Sequence, residues 1–141
     1  MPFWKKESES ADWLANVAFF EGFSPEELAR VAALGDEVEA LAQAVLVDQG
    51  DAGTDCYVIV EGHAGVYKSG EFITQSGPGT MVGEMALVDH RPRTATVVAD
   101  TDMKLLRFHA PQFRQLLDEM PKASERVMTM LHERLQRPAN G

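Results

Sequence analysis

From about Asp36 to His109 the chain is a succession of short β-prone runs separated by turn residues, and no other feature limits its fold as tightly. VEALA, AVLVDQG, CYVIVEG, HAGVYKSG, EFITQ, a β-branched run at Thr94-Ala95-Thr96-Val97-Val98 and MKLLRF follow one another at intervals of roughly eight to twelve residues. Gly50-Asp51, Glu61-Gly62, Ser69-Gly70 and Gly77-Pro78-Gly79 punctuate them. That spacing is the signature of an antiparallel sandwich or barrel. At 141 residues the chain is one domain, large enough to bury a real core.

Helical patterns flank the strands. Trp13, Leu14, Val17 and Phe20 fall on one helical face. Ser24-Pro25-Glu26-Glu27 reads as a helix start, with Ser24 as N-cap, Pro25 in the first position and Glu27 three residues past the cap. That helix runs to about Leu34 and ends at Gly35. After the strands, Ala110-Pro111-Gln112 opens a helix with Phe113, Leu116 and Leu117 on one face, stopped at Met120-Pro121. From Lys122 the pattern restarts with Val127, Met128, Leu131 and Leu135 on one side. The expected organisation is a loose start over 1–10 and a single domain over 11–136, followed by a tail over 137–141. Within the domain, 11–35 and 110–136 are helical and 36–109 is the β region.

The chemistry is concentrated in VGEMALVDHRPRTATVVA, residues 82–99. Gly83-Glu84 opens about one helical turn at Met85-Ala86-Leu87-Val88, and Pro92 forbids its continuation. A helix N-terminus offers unpaired N–H groups and the positive end of a dipole, and a glycine before it lets a ligand come close. Arg93, at the entrance to the next strand, adds a planar fork suited to two phosphate oxygens. Glu84 would repel an anion it faced, so it makes sense as an acceptor for hydroxyls beside a phosphate, as on a ribose.

GEMAL followed by PRTATVVA resembles the phosphate-binding cassette of the cyclic nucleotide-binding domain, the module of catabolite activator protein, protein kinase A regulatory subunits and cyclic-nucleotide-gated channels. QGDAGTDCYVIVEGHAGVY is similar to the family's second block, a glycine-rich turn followed by a Tyr-X-Ile-X-X-Gly strand. The resemblance covers about residues 13 to 136. It implies an α+β, mainly β, fold: an antiparallel jelly-roll β-barrel between N-terminal helices and two C-terminal helices. It implies that Glu84 holds the ribose 2′-hydroxyl and Arg93 clamps the cyclic phosphate, with Val82, Gly83, Met85, Ala86, Thr94 and Ala95 lining the rest. It also implies a lid over the base from the last helix, with Met128, Leu131 and Arg134 as the facing residues. Two departures stand out. Val82 replaces the aromatic usual before the Gly-Glu pair, and a tight Lys68-Ser69-Gly70 hairpin stands where relatives often carry a longer loop. Thr94 resembles the threonine that meets the guanine 2-amino group in cyclic-GMP-binding relatives, and it also occurs in relatives that respond to cyclic AMP. The expected ligand is cyclic AMP, with cyclic GMP binding as well, and no cofactor.

Other classes fare poorly. A net charge of −9 argues against a nucleic-acid partner, whose footprint is a clustered basic face. No run of eighteen apolar residues spans a membrane, and the start does not read as a signal peptide. The single Cys56 excludes disulfide frameworks and thiol metal sites and points to a reducing, cytoplasmic setting. His63, His90, His109 and His132 fall on different elements with no metal-binding pattern, and no nucleophile stands beside a base, so no enzyme is expected. No kinase, channel, cyclase or DNA-binding segment is expected beside the module. The expectation is therefore a stand-alone sensor that signals to a separate effector or by self-association. Its alternative is a structural or interaction module that keeps the jelly roll without nucleotide.

Overall fold

The computed structural model describes residues 12–89 and 92–136, with the main chain alone for Met85, Val88, Asp89, Arg134, Leu135 and Gln136. The expected loose start and tail lie outside these residues. Eight strands form two antiparallel four-stranded sheets: β1 (Asp36–Ala40), β2 (Val45–Val47), β3 (Asp55–Glu61), β4 (Ala64–Lys68), β5 (Glu71–Ser76), β6 (Met81–Val82), β7 (Thr96–Ala99) and β8 (Met103–His109). One sheet has the order β1-β8-β3-β6 and the other β2-β7-β4-β5, a jelly roll. Apart from the β4–β5 hairpin, neighbours in sequence lie in different sheets, so the long connection from β6 to β7 crosses from one sheet to the other. That connection is where the site lies.

The helices are α1 (Pro25–Leu34), α2 (Glu84–Asp89), α3 (Ala110–Glu119) and α4 (Pro121–Gln136). The start of α1 is the capping box read from the sequence. The Ser24 hydroxyl accepts from the Glu27 N–H at 3.2 Å and the Glu27 carboxylate from the Ser24 N–H at 2.8 Å. The preceding segment departs from expectation. Residues 12–14 are helical, but the chain then turns and forms a 3₁₀ helix at Ala18–Phe20. The bonds run three residues back, from Val17 N to Leu14 O, Phe20 N to Val17 O and Phe23 N to Phe20 O. Leu14, Val17, Phe20 and Phe23 repeat every third residue, and all four are buried. A three-residue repeat keeps one face inward only if the backbone takes three residues per turn.

Two apolar clusters hold the molecule. One, between the β1-β8-β3-β6 sheet and the helices, joins Phe19, Phe20, Phe23, Phe108 and Phe113 with aliphatics from α1, α3 and α4. The other lies between the sheets and consists of Val47, Ile59, Ala64, Val82, Val97, Ala99, Met103 and Leu105. Helix α4 is fastened to the N-terminal turns by polar clasps as well. Arg126 donates to the carbonyls of Ala18, Phe19 and Glu21 at 2.8–3.0 Å, and the Lys122 ammonium donates to Gly22 O and Glu27 Oε1 at 2.9 Å.

Candidate functional site

The β6–β7 connection folds back on the loop before β3. Gly83 turns the chain from β6 into α2 at φ +86°, a conformation that disfavours side chains. A Cβ there would lie 2.6 Å from Arg93 Nη1. Glycine is thus required twice, by its backbone and by the guanidinium against it. Gly53 plays the matching part opposite α2, since a Cβ on it would lie 2.6 Å from the Ala86 methyl.

Arg93 is fixed at both ends. Its N–H donates to Asp51 O and its carbonyl accepts from the Gly50 N–H, each at 2.8 Å. Its side chain is 8% exposed, and Nη1 donates to Gly83 O at 2.6 Å while Nη2 donates to Asp55 O. Among the described residues, then, the hydrogen-bond partners of this buried cation are neutral main-chain carbonyls. Carbonyls hold and orient the guanidinium, and a buried, oriented fork suits an anion.

The anion would arrive through a cleft of about 200 Å³ beside the guanidinium. Of the residues expected at the site, Gly83, Glu84, Ala86, Arg93, Thr94 and Ala95 line it together. Val82 does not line it; it pairs with Tyr57 across β3 and belongs to the inter-sheet cluster. The Met85 side chain lies outside the described residues. Val47, Pro92 and Val97 complete the wall, and sequence reading missed them. Val47 and Val97 are register partners on β2 and β7, so alternation along those β-branched runs was the available signal. Thr94 and Ala95 precede β7, which begins at Thr96 rather than Thr94. Staying out of the ladder leaves them at the cleft.

Thr96 anchors that strand entrance. Its hydroxyl accepts from the Gln49 N–H and donates to Asp48 Oδ1, both at 3.0 Å. Gln49 Oε1 in turn accepts from the Ser69 N–H at 2.8 Å, which ties the tight β4–β5 hairpin to the site's outer wall. Beneath the cleft, burial pushes the Cys56 thiol well up, with the charge of Glu84 adding and that of Arg93 opposing. Cys56 is a neutral core residue. Burial likewise raises the Tyr57 phenol, helped by Asp55.

Of the residues expected at the lid, Met128 and Leu131 do not line the cleft. Met128 is 63% exposed, Leu131 is half-buried, and the Arg134 side chain lies outside the described residues. Helix α4 does reach α2, through the cluster that holds both Leu87 and Val127. Among the described residues no group of three or more His, Cys, Asp and Glu is arranged to hold a metal, and no helix is long and apolar enough to cross a membrane.

A jelly roll carrying a glycine-flanked one-turn helix and a buried arginine defines a class of small-molecule binding modules. The family profile described as "Cyclic nucleotide-binding domain" matches residues 37–120. The chain belongs to that family. It is 32% identical over 111 residues to a cAMP-dependent protein kinase regulatory subunit from Aspergillus niger, covering 74% of this chain and 26% of that protein. It is 31% identical over 112 residues to the Pycsar effector protein XpPycTIR of Xanthomonas perforans, covering 78% and 37% respectively. The chain thus spans well under half the length of these curated relatives. Among solved structures it superimposes on Thermus thermophilus catabolite activator protein with a TM-score of 0.76 at 26% identity, covering 84% of this chain and 58% of that one.

Proposed function

We propose that the protein binds a cyclic nucleoside monophosphate, without catalysis, and reports its occupancy through the C-terminal helices. The observation that carries this reading is the buried guanidinium of Arg93, held by carbonyls and facing a cleft bordered by Glu84. Two outward N–H groups of a fork oriented in this way suit two oxygens of a cyclic phosphate. Glu84 takes the ribose 2′-hydroxyl, and the apolar wall of Val47 and Val97 suits the sugar and base edge. Cyclic AMP is the primary ligand, in keeping with the cAMP-dependent kinase subunit among the relatives, and cyclic GMP binds as well through the exposed Thr94 hydroxyl. A reducing, cytoplasmic setting suits the unpaired thiol of Cys56.

The output is α4. It contacts α2, and Met128, Leu131 and Arg134 are the residues that would meet a base on closure. A ligand that touches α4 in only one arrangement shifts the population by its differential affinity. The moved helix presents or hides a surface for a separate protein or a second copy. Calorimetric titration of the full chain with cyclic AMP and cyclic GMP tests the reading. Saturable binding at one site per chain is expected, and heat from neither ligand would leave a jelly-roll interaction module instead. Hydrogen exchange with ligand should gain protection over 82–95 and over 122–136; protection confined to the former would remove the lid.

A further inference from the structure

Asp55 serves two neighbours at once. Its main-chain carbonyl accepts from Arg93 Nη2, and its carboxylate meets His109 Nδ1. The two residues are register partners on β3 and β8, and the adjacent step is closed by the Ala110 N–H donating to Thr54 O at 2.8 Å. His109 is also the N-cap residue of α3, its own N–H donating to Gln112 Oε1 at 2.8 Å. One imidazole therefore stands between the carbonyl that orients the buried arginine and the first turn of the C-terminal helices.

The surroundings of that imidazole are acidic on two sides. Asp55 faces it from β3, and Asp36 from β1 lies 3.9 Å from Nε2. Arg107 of β8 is 3.6 Å from the same Asp36 oxygen, and from α3 the neighbour is the neutral amide of Gln112, 3.4 Å from it. A neutral imidazole with its proton on Nδ1 donates to Asp55 and turns a lone pair toward Asp36. The imidazolium donates on both sides. In either form Nδ1 donates to Asp55.

We propose that His109, acting through Asp55, is a positioning residue for the anion site, holding the carbonyl that aims Arg93 and tying that site to the start of α3. The proposal rests on the cyclic nucleotide reading above.

The test is calorimetry of the full chain with cyclic AMP for wild type, His109→Asn and His109→Phe. An asparagine amide supplies a donor in place of Nδ1–H, and a phenyl ring supplies none. His109→Asn should bind within about twofold of wild type, and His109→Phe about tenfold more weakly. A Phe variant that binds like wild type overturns the proposal. So does a folded Asn variant as weak as the Phe variant, which would reduce His109 to packing. Should His109→Phe not fold, His109→Leu takes its place with the same expectation. No binding by wild type overturns the cyclic nucleotide reading and this inference with it; wild-type affinity without a donor at 109 overturns this inference alone.

Discussion

The two faces of the β1-β8-β3-β6 sheet are filled in opposite ways. Toward the helices lie five phenylalanines, with Phe19 and Phe20 edge-to-face at 5.3 Å and Phe20 and Phe23 at 5.5 Å. Toward the other sheet the buried residues are aliphatic and mostly small, with no aromatic among them. Large rings fill the helical side and transmit any displacement, because a close-packed layer cannot absorb it. Small β-branched residues on the other side bring the sheets together yet leave a cleft at their end, where Arg93 sits. Stability is concentrated on one face and the open charge on the other.

That contrast is broken or sharpened by substitution. Phe113→Ala, which removes a ring 6.3 Å from that of Phe19, should cost about 3–5 kcal/mol in chemical denaturation. A loss under about 1 kcal/mol would mean the aromatic layer is not where stability resides. Arg93→Ala should weaken cyclic AMP binding by about 2–5 kcal/mol, roughly thirtyfold to several-thousandfold, while lowering stability less than Phe113→Ala does. Arg93→Lys should fare nearly as badly in binding, since a point charge cannot reproduce the fork. Near-normal titration by Arg93→Ala would remove the anion site from this face. A 2′-deoxy analogue should bind about 1–3 kcal/mol more weakly than cyclic AMP, the cost of stranding a buried acceptor; equal affinity would leave Glu84 as a cap for its own helix.

The smallest effect concerns the polar clasp on the helical side. The Ser24 N–H, then Lys122, hold the Glu27 carboxyl below its ordinary value. A depressed folded value means that its stabilisation is present above the unfolded value and is lost as pH falls through the lower one. Glu27→Gln should therefore make thermal unfolding less sensitive to acid by a small margin, and an unchanged acid response would assign that sensitivity elsewhere.

Much of this was legible in the residues. The capping box, Pro25 and Gly35 delimited α1, and turn residues bounded most strands, because each of these signals is local chemistry. The spacing from Gly83 to Arg93 marked the cleft for the same reason. The pairing of Asp55 with His109 was not legible, since fifty-four residues separate them and only the β3–β8 register brings them together. His109 looked like one scattered histidine among four. The close approach of Gly53 to Ala86 was equally hidden, as nothing local to either glycine or alanine specifies it. The segment before α1 misled because a three-residue repeat also satisfies one face of an α-helix; the i→i+3 bonds distinguish the two.

Arg126 lies 105–108 residues along the chain from the carbonyls it gathers, and Lys122 lies 100 from Gly22. During synthesis the N-terminal turns emerge first and α4 after every strand. Those turns therefore wait, with their carbonyls turned to water, until the last helix arrives. Closing so long a loop costs entropy that only the finished aromatic layer returns, so the helical side should be the last part of the molecule to set. A chain cut before Lys122 would carry all eight strands and Arg93, yet would lack the helix that fastens the turns before α1.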